Sequence, residues 1–286
     1  MRIAMTGRGT SGSWQIRGVQ LGSAIGADLK PNVVFTSAFR EYDTVIVVKR
    51  ITEANLRAVQ ASKRRIIWDV VDAWPQPEGN GWHREQCLVW LQNELDRIKP
   101  DGIIAATERM KRDLHDMMSV PVLYLPHHSD PKLQPQVVAR TVERIGYEGA
   151  PHYLGRWREV AQTWCKRNQV QWAENPGSIS KLDIVLALRD SYGFAPKHWK
   201  SNVKLTNAHA AGIPCICSPE QGYIDVQTLA ESWVDTPDAP HALWQALDAL
   251  LPFERRLEVF DHFTSNAMYF TLDAVSKRLK QWLSTK

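Results

Sequence analysis

The chain has 286 residues, 44% of them hydrophobic and 23% charged, with a formal net charge of +4. That length holds two domains of about 140 residues each, and the composition excludes disordered, collagen-like and disulfide-scaffold proteins. The 35 basic and 31 acidic residues are dispersed along the chain, so the positive excess suits anionic ligands without supplying the massed basic stripe of a nucleic-acid binder.

The four cysteines, Cys87, Cys165, Cys215 and Cys217, have neither C-x-x-C nor metal-ligand spacing and read as reduced, buried thiols. Cys215 and Cys217 share one face of a strand, where a Cα separation of about 6.5 to 7 Å disfavours a disulfide. No run approaches the roughly 18 apolar residues of a membrane span, and the N-terminus enters a strand at once; a soluble, cytoplasmic protein is expected. Most of the twelve tryptophans are expected in the core or at interfaces, a minority as stacking platforms for sugars.

In chain order, a first strand is expected over residues 3–6, then the loop Gly7-Arg8-Gly9-Thr10-Ser11-Gly12-Ser13 and a helix to about residue 25. An apolar run at 45–49, a polar helix near 53–62, a strand at 65–71, a helix near 82–98, a strand at 102–106, a helix capped by Thr107 and a strand at 121–125 follow. Strands separated by helices of this length make βαβ units and a parallel sheet. A stretch containing Pro126, Pro131 and Pro135 reads as a hinge. A second α/β half opens at Arg144-Ile-Gly-Tyr-Glu-Gly149 and continues with a helix over 151–167 and strands near 170–173, 182–188 and 213–217. Helical segments near 241–251, 254–263 and 267–283 end the chain, and there is no further internal repeat or low-complexity tract.

The stretch from Lys200 to Pro219 carries the most chemistry. A short helix is expected here, on which Lys200, Lys204 and Asn207 share a polar stripe starting at its positive end. Leu205, Ala208 and Ala211 would form the apolar stripe, Ser201 or Asn202 the N-cap, and Gly212 the left-handed stop. Such an arrangement is an anion site needing no metal.

These residues carry a resemblance. Asp183-Ile-Val-Leu-Ala-Leu-Arg-Asp190, followed by K-x-x-x-K-L-x-x-A-x-A-A-G-I-P-x-I-x-S-P, resembles the donor-nucleotide segment of GT-B glycosyltransferases, especially the group 1 enzymes of glycosyltransferase family 4. The opening of the second half resembles that family's I-G-[WY]-x-G-[ST]. The resemblance implies two Rossmann-like domains facing across a cleft, with a C-terminal helix returning to the first domain. The expected boundaries are 1–130 for the acceptor-side domain, 131–143 for the linker, 144–265 for the nucleotide-sugar domain and 266–286 for the returning helix.

By the same resemblance, Lys200 and Lys204 bind the donor diphosphate, and the backbone amides of the loop at Gly149 approach it from the other side. Asn207 stands where the family carries Glu or Gln, and Trp199 occupies the position of the upstream glutamate. Gln221, Gly222 and Tyr223 lie by the donor sugar or nucleotide. Gly9, Thr10 and Gly12 form a loop facing the cleft. Asp190 either meets a sugar or ribose hydroxyl or caps a turn. Asp72 follows a parallel strand, where open α/β sheets bind ligands, and is the acidic candidate on the acceptor side. His127 and His128, without a third ligand, favour a structural role over metal; no cofactor or metal is expected.

The expected activity is therefore metal-independent, retaining transfer of a sugar from a nucleotide-diphosphate sugar to a glycan, protein, small molecule or DNA. The alternatives left open are a nucleotide-sugar epimerase, a catalytically degenerate sugar-binding protein and, because Gly7-x-Gly9-x-x-Gly12 has the dinucleotide spacing, an NAD-dependent enzyme.

Overall fold

The computed structural model describes residues 1–190, 193–235 and 240–285. Its internal contacts divide it into two units, one of Met1–His127, Gly193–Ser201 and Leu272–Lys286, the other of His128–Tyr192 and Asn202–Thr271. Lys286, the last residue of the expected returning helix, lies outside the described residues.

The first unit is a parallel sheet in the order β2-β1-β3-β4-β5-β6, from β1 (Ile3–Gly7), β2 (Asp28–Leu29), β3 (Thr44–Val48), β4 (Arg65–Asp69), β5 (Gly102–Ala105) and β6 (Val122–Tyr124). Every residue of β1 and β3 is buried, as a sheet covered on both faces requires. A π-helix (Trp14–Leu21) runs into α1 (Gly22–Ile25); α2 (Glu53–Ala61), α3 (Arg84–Ile98) and α4 (Glu108–Met117) complete the crossovers. Thr107 caps α4 by accepting the Met110 amide. One core gathers Val45, Val47, Trp68, Leu91 and Leu114. The other gathers Met5, Leu21, Ile46, Ile67 and Ile104.

Two later segments complete this unit. The last helix, α11 (Leu272–Ser284), brings Val275, Leu279 and Leu283 into the second of these cores, as the resemblance implies. The short α6 (Phe194–Trp199) brings Ala195 and Trp199 into the first. The Trp199 indole donates to Asp113 Oδ2 at 2.8 Å, and the Thr107 hydroxyl donates to the His198 carbonyl at 2.8 Å. A Cβ on Gly193 would lie 1.6 Å from the Asn80 carbonyl oxygen, so this entry point accepts only glycine.

The second unit repeats the plan with β7 (Arg144–Tyr147), β8 (Gln171–Glu174), β9 (Ile184–Ala187), β10 (Cys215–Cys217) and β11 (Ser232–Trp233), ordered β8-β7-β9-β10-β11 and all parallel. Its helices are α5 (Trp157–Asn168), α7 (Val203–Ala211), α8 (Gln221–Ile224), α9 (Pro240–Ala249) and α10 (Phe253–Ala267). Both sheets thus begin in the flavodoxin-like order 2-1-3-4-5 rather than the 3-2-1-4-5-6 order of nicotinamide-binding domains. The proline-containing stretch is tied to this unit: the buried Arg256 guanidinium donates to the carbonyls of Ala139 at 2.7 Å and Arg140 at 3.0 Å, and Gln136 N–H reaches the Ala211 carbonyl at 2.9 Å.

Gly193→Ala should lower stability by about 2 kcal/mol, the scale of forcing extra volume into a packed site. Gly81→Ala, where an added Cβ meets nothing within 4 Å, should shift it by less than about 0.5 kcal/mol. Urea unfolding of both variants measures the difference.

Candidate functional site

Open α/β sheets bind ligands at the carboxyl ends of their strands, where the strand order reverses. In the first unit that point lies between β1 and β3, and in the second between β7 and β9. The first holds a cavity of about 300/180 Å³ in two adjoining parts, the smaller, of 180 Å³, lined by Arg8, Thr10, Ser11, Trp14, Lys49 and Arg50.

Beside it, Asp72 sits between two lysines. Lys49 Nζ lies 2.7 Å from Asp72 Oδ1, Lys200 Nζ pairs with Oδ2, and the Ser13 hydroxyl donates to Oδ1 at 3.3 Å. Burial alone pushes the Asp72 carboxyl up, but the two ammonium groups overcome it and hold the group well below the usual carboxylate range. It is therefore ionised at any working pH. A carboxylate so committed is a poor proton acceptor, which makes Asp72 an organiser of the lysines rather than a general base.

The backbone around it is strained. Lys49 has φ +60° and Val71 φ +53°, a conformation unusual for any side chain and an outlier for a β-branched one, each costing on the order of 1 to 3 kcal/mol. Lys49 is kept there by its N–H donating to the Asp69 carbonyl at 2.8 Å and by its carbonyl accepting the Trp68 indole at 3.1 Å.

The loop after β1 is shaped by Gly9, with φ +77° and an added Cβ only 2.9 Å from Pro31. The Asn32 amide donates to the Arg8 carbonyl at 2.7 Å and fastens the loop. Thr10 and Gly12 are exposed, and a Cβ on Gly12 would meet nothing within 4 Å.

In the second unit α7 starts at Val203, so Lys204 and Asn207 lie on it and Lys200 does not. The expected single stripe is corrected. Trp199, drawn into the first unit's core, ends α6, and Lys200 is extended with φ −72° and ψ 141°. The rest of α7 follows the sequence: Leu205, Ala208 and Ala211 are fully buried, and Gly212 stops the helix at φ 65°. His209 fixes its depth through Glu231, Nε2 to Oε1 3.1 Å. Burial would raise the Glu231 carboxyl, but His209 and the amides of Thr228 and Leu229 bring it below its ordinary value.

Lys204 Nζ lies 3.6 Å from the centroid of the Tyr147 ring, within cation–π range, and 3.2 Å from where a Cβ of Gly149 would stand. With φ +135° as well, Gly149 is required for its turn. Burial raises the neighbouring Glu148 carboxyl above its ordinary value, against the lowering effect of Lys204. The Gly149 amide, expected to face phosphate, instead donates to Asn175 Oδ1 at 2.8 Å. Asn207 Oδ1 accepts the Asp130 amide at 2.8 Å, which commits its acceptor.

Of the two alternatives for Asp190, the structure has the structural one: its carboxylate accepts the Arg156 amide at 3.1 Å and faces Arg156 Nε at 3.2 Å. Gln221 donates to Asp225 Oδ1 at 2.6 Å. Gly222 and Tyr223 are buried, and Tyr223, 2% exposed, has its phenol pushed well up by burial. Its ring is thus a packing element and not the surface contact expected. His127 and His128 are buried too, with His128 Nδ1 2.8 Å from the Ser129 carbonyl.

Sequence reasoning missed Lys49, Arg50, Tyr147 and the buried pair Arg189–Glu220, 2.9 Å apart. The available signal was a cation or aromatic ending an apolar strand; it gains meaning only once the strand order shows which edges are switch points. Among the described residues no group of three His, Cys, Asp or Glu is arranged to hold a metal ion, and no helix is long and apolar enough to cross a membrane.

Asp72→Asn should cost about 3 kcal/mol at neutral pH, because it leaves two partly buried ammonium groups without their counter-charge. The depressed carboxyl stabilises the fold above its unfolded value of about 3.9, and this is lost as pH falls below it, by roughly 1.4 kcal/mol per unit. The deficit of the variant should therefore shrink between pH 4 and pH 2.5, read from denaturant melts of both proteins.

No protein-family model and no curated protein matches the sequence. Solved structures do. The Anabaena protein Alr3699/HepE in complex with UDP-glucose superposes with a TM-score of 0.73 at 11% identity over 100% of both chains. The apo structure of OtsA gives 0.65 at 10% identity, also over 100% of both chains. WaaG, a glycosyltransferase involved in lipopolysaccharide biosynthesis, gives 0.58 at 12% identity over 99% of this chain and 100% of that one. With two parallel α/β sheets and full-length correspondence to these proteins, the chain has the GT-B fold.

Proposed function

We propose that the protein is a glycosyltransferase that moves a sugar from a nucleoside-diphosphate sugar to an acceptor hydroxyl, without a metal ion and with retention of anomeric configuration. The observation that carries this is the full-length likeness to HepE solved with UDP-glucose. The composition of the second unit's switch point supports it, since Lys204, over the Tyr147 ring and beside Gly149, is a cation at the edge where such sheets take phosphates.

In this proposal Lys204 and the start of α7 hold the diphosphate. The Asn207 NH₂ and Gln221 meet hydroxyls of the donor, while Asp190, Gly222 and Tyr223 support the walls. The first unit takes the acceptor at Gly9, Thr10 and Gly12, beside Lys200 and Asp72. The bond from the anomeric carbon to the diphosphate oxygen breaks, the acceptor oxygen bonds to that carbon, and the acceptor proton leaves with the departing diphosphate or to water. Lys204 stabilises the charge that grows on the leaving phosphate.

Removal of one such contact costs on the order of 10²-fold in rate. Lys204→Ala should lower turnover of its nucleotide sugar by that factor and weaken UDP binding, with the melting temperature kept. Titration of UDP-glucose and GDP-sugars into both proteins is the measurement, and equal affinity and turnover would sink the assignment. Turnover should also survive EDTA; its loss, with recovery on adding Mg²⁺ or Mn²⁺, would refute metal independence. Isomerised donor formed without acceptor would indicate an epimerase instead.

A further inference from the structure

We propose that the pocket at the first unit's switch point binds an anionic group, a phosphate or a carboxylate, carried by the acceptor. The assignment to an acceptor rests on the glycosyltransferase reading; the anion site itself does not. The pocket, about 180 Å³, presents Arg8, Lys49 and Arg50 together with the hydroxyls of Thr10 and Ser11 and the ring of Trp14.

Its charge is not internally balanced. Of these cations Lys49 is paired with Asp72, a carboxylate it shares with Lys200. Among the described residues neither Arg8 nor Arg50 forms an ion pair with a carboxylate. Glu94, which borders the adjoining 300 Å³ cavity that Arg8 and Arg50 also line, is taken by Arg97 at 2.7 Å. The Arg50 guanidinium is aimed without being neutralised, because Nε donates to the Ala73 carbonyl at 2.9 Å and Nη2 to that of Trp74. A guanidinium fixed along one edge presents its remaining N–H groups in a set direction, the geometry that suits phosphate and carboxylate oxygens.

The pocket wall includes one residue in unusual backbone. Gly9, between the lining residues Arg8 and Thr10, turns the loop at φ +77°, and Lys49 is held at φ +60°; such an outlier in a non-glycine residue is often found at a ligand site. The small volume admits the anionic group with a few attached carbons, so the rest of an acceptor extends out of it.

The test is calorimetric titration of the full chain, with and without saturating UDP, using glycerol 3-phosphate, glycerate and glycerol as probes. The two anions should bind and glycerol should not, and Arg8→Gln should weaken the anions at least tenfold while leaving UDP affinity unchanged. Arg50→Gln should do the same, with a melt to check its fold. Whichever anion binds more tightly identifies the acceptor's group as phosphate or carboxylate. Equal binding of all three probes, or anion affinity untouched by both substitutions, overturns the proposal. Anion binding that depends on Arg8 in a protein that takes no nucleotide would leave this site standing and refute the glycosyltransferase reading; nucleotide binding with no anion site would do the reverse.

Discussion

The carboxylate of Asp72, held between Lys49 and Lys200, is the contact around which the first unit's functional edge is organised. It joins the end of β3, the turn after β4 and the segment that returns at residues 193–201. Its side chain is 10% exposed, so water screens the pairs far less than it would at the surface. One carboxylate cannot cancel two ammonium groups, and the edge stays cationic. The left-handed backbone at Lys49 and Val71 is the local cost of bringing these groups together.

The second unit meets a similar demand differently. There the cation rises from α7 and lies over the ring of Tyr147, with the Glu148 carboxyl nearby. A ring attracts an ammonium group by its quadrupole without neutralising it. The helix that presents it is seated from behind by alanines and by His209 on Glu231, which places Lys204 by packing rather than by its own flexible stem.

Much of this was legible in the sequence because it is local. Alternating apolar runs and helices gave the two parallel sheets, Thr107 announced its cap, Gly212 its stop, and the resemblance to GT-B enzymes the returning helix. What escaped depends on partners far along the chain. The periodicity of Lys200, Lys204 and Asn207 is helical, yet the helix is interrupted because Trp199 bonds to Asp113, 86 residues earlier. The Gly149 amide looks spare until Asn175 is found on it, and the Asn207 carbonyl until Asp130 is. Tyr223 lies in a loop sequence that suggests a surface, but the fold closes over it. No spacing rule links Lys49 to Asp72; only the neighbouring register of β3 and β4 does.

The interleaved path of the chain has a consequence for anyone who would divide it. Neither unit is a continuous stretch of polypeptide. A fragment ending at His127 would lack Trp199 and Lys200, one of the two partners of Asp72, on one side, and Val275, Leu279 and Leu283 on the other. It would present two bare apolar faces to water, an invitation to aggregate. Chimaeras that exchange one half for that of another protein must therefore transplant three separate stretches together for the first unit, or two for the second, and a single crossover point does not exist in this gene.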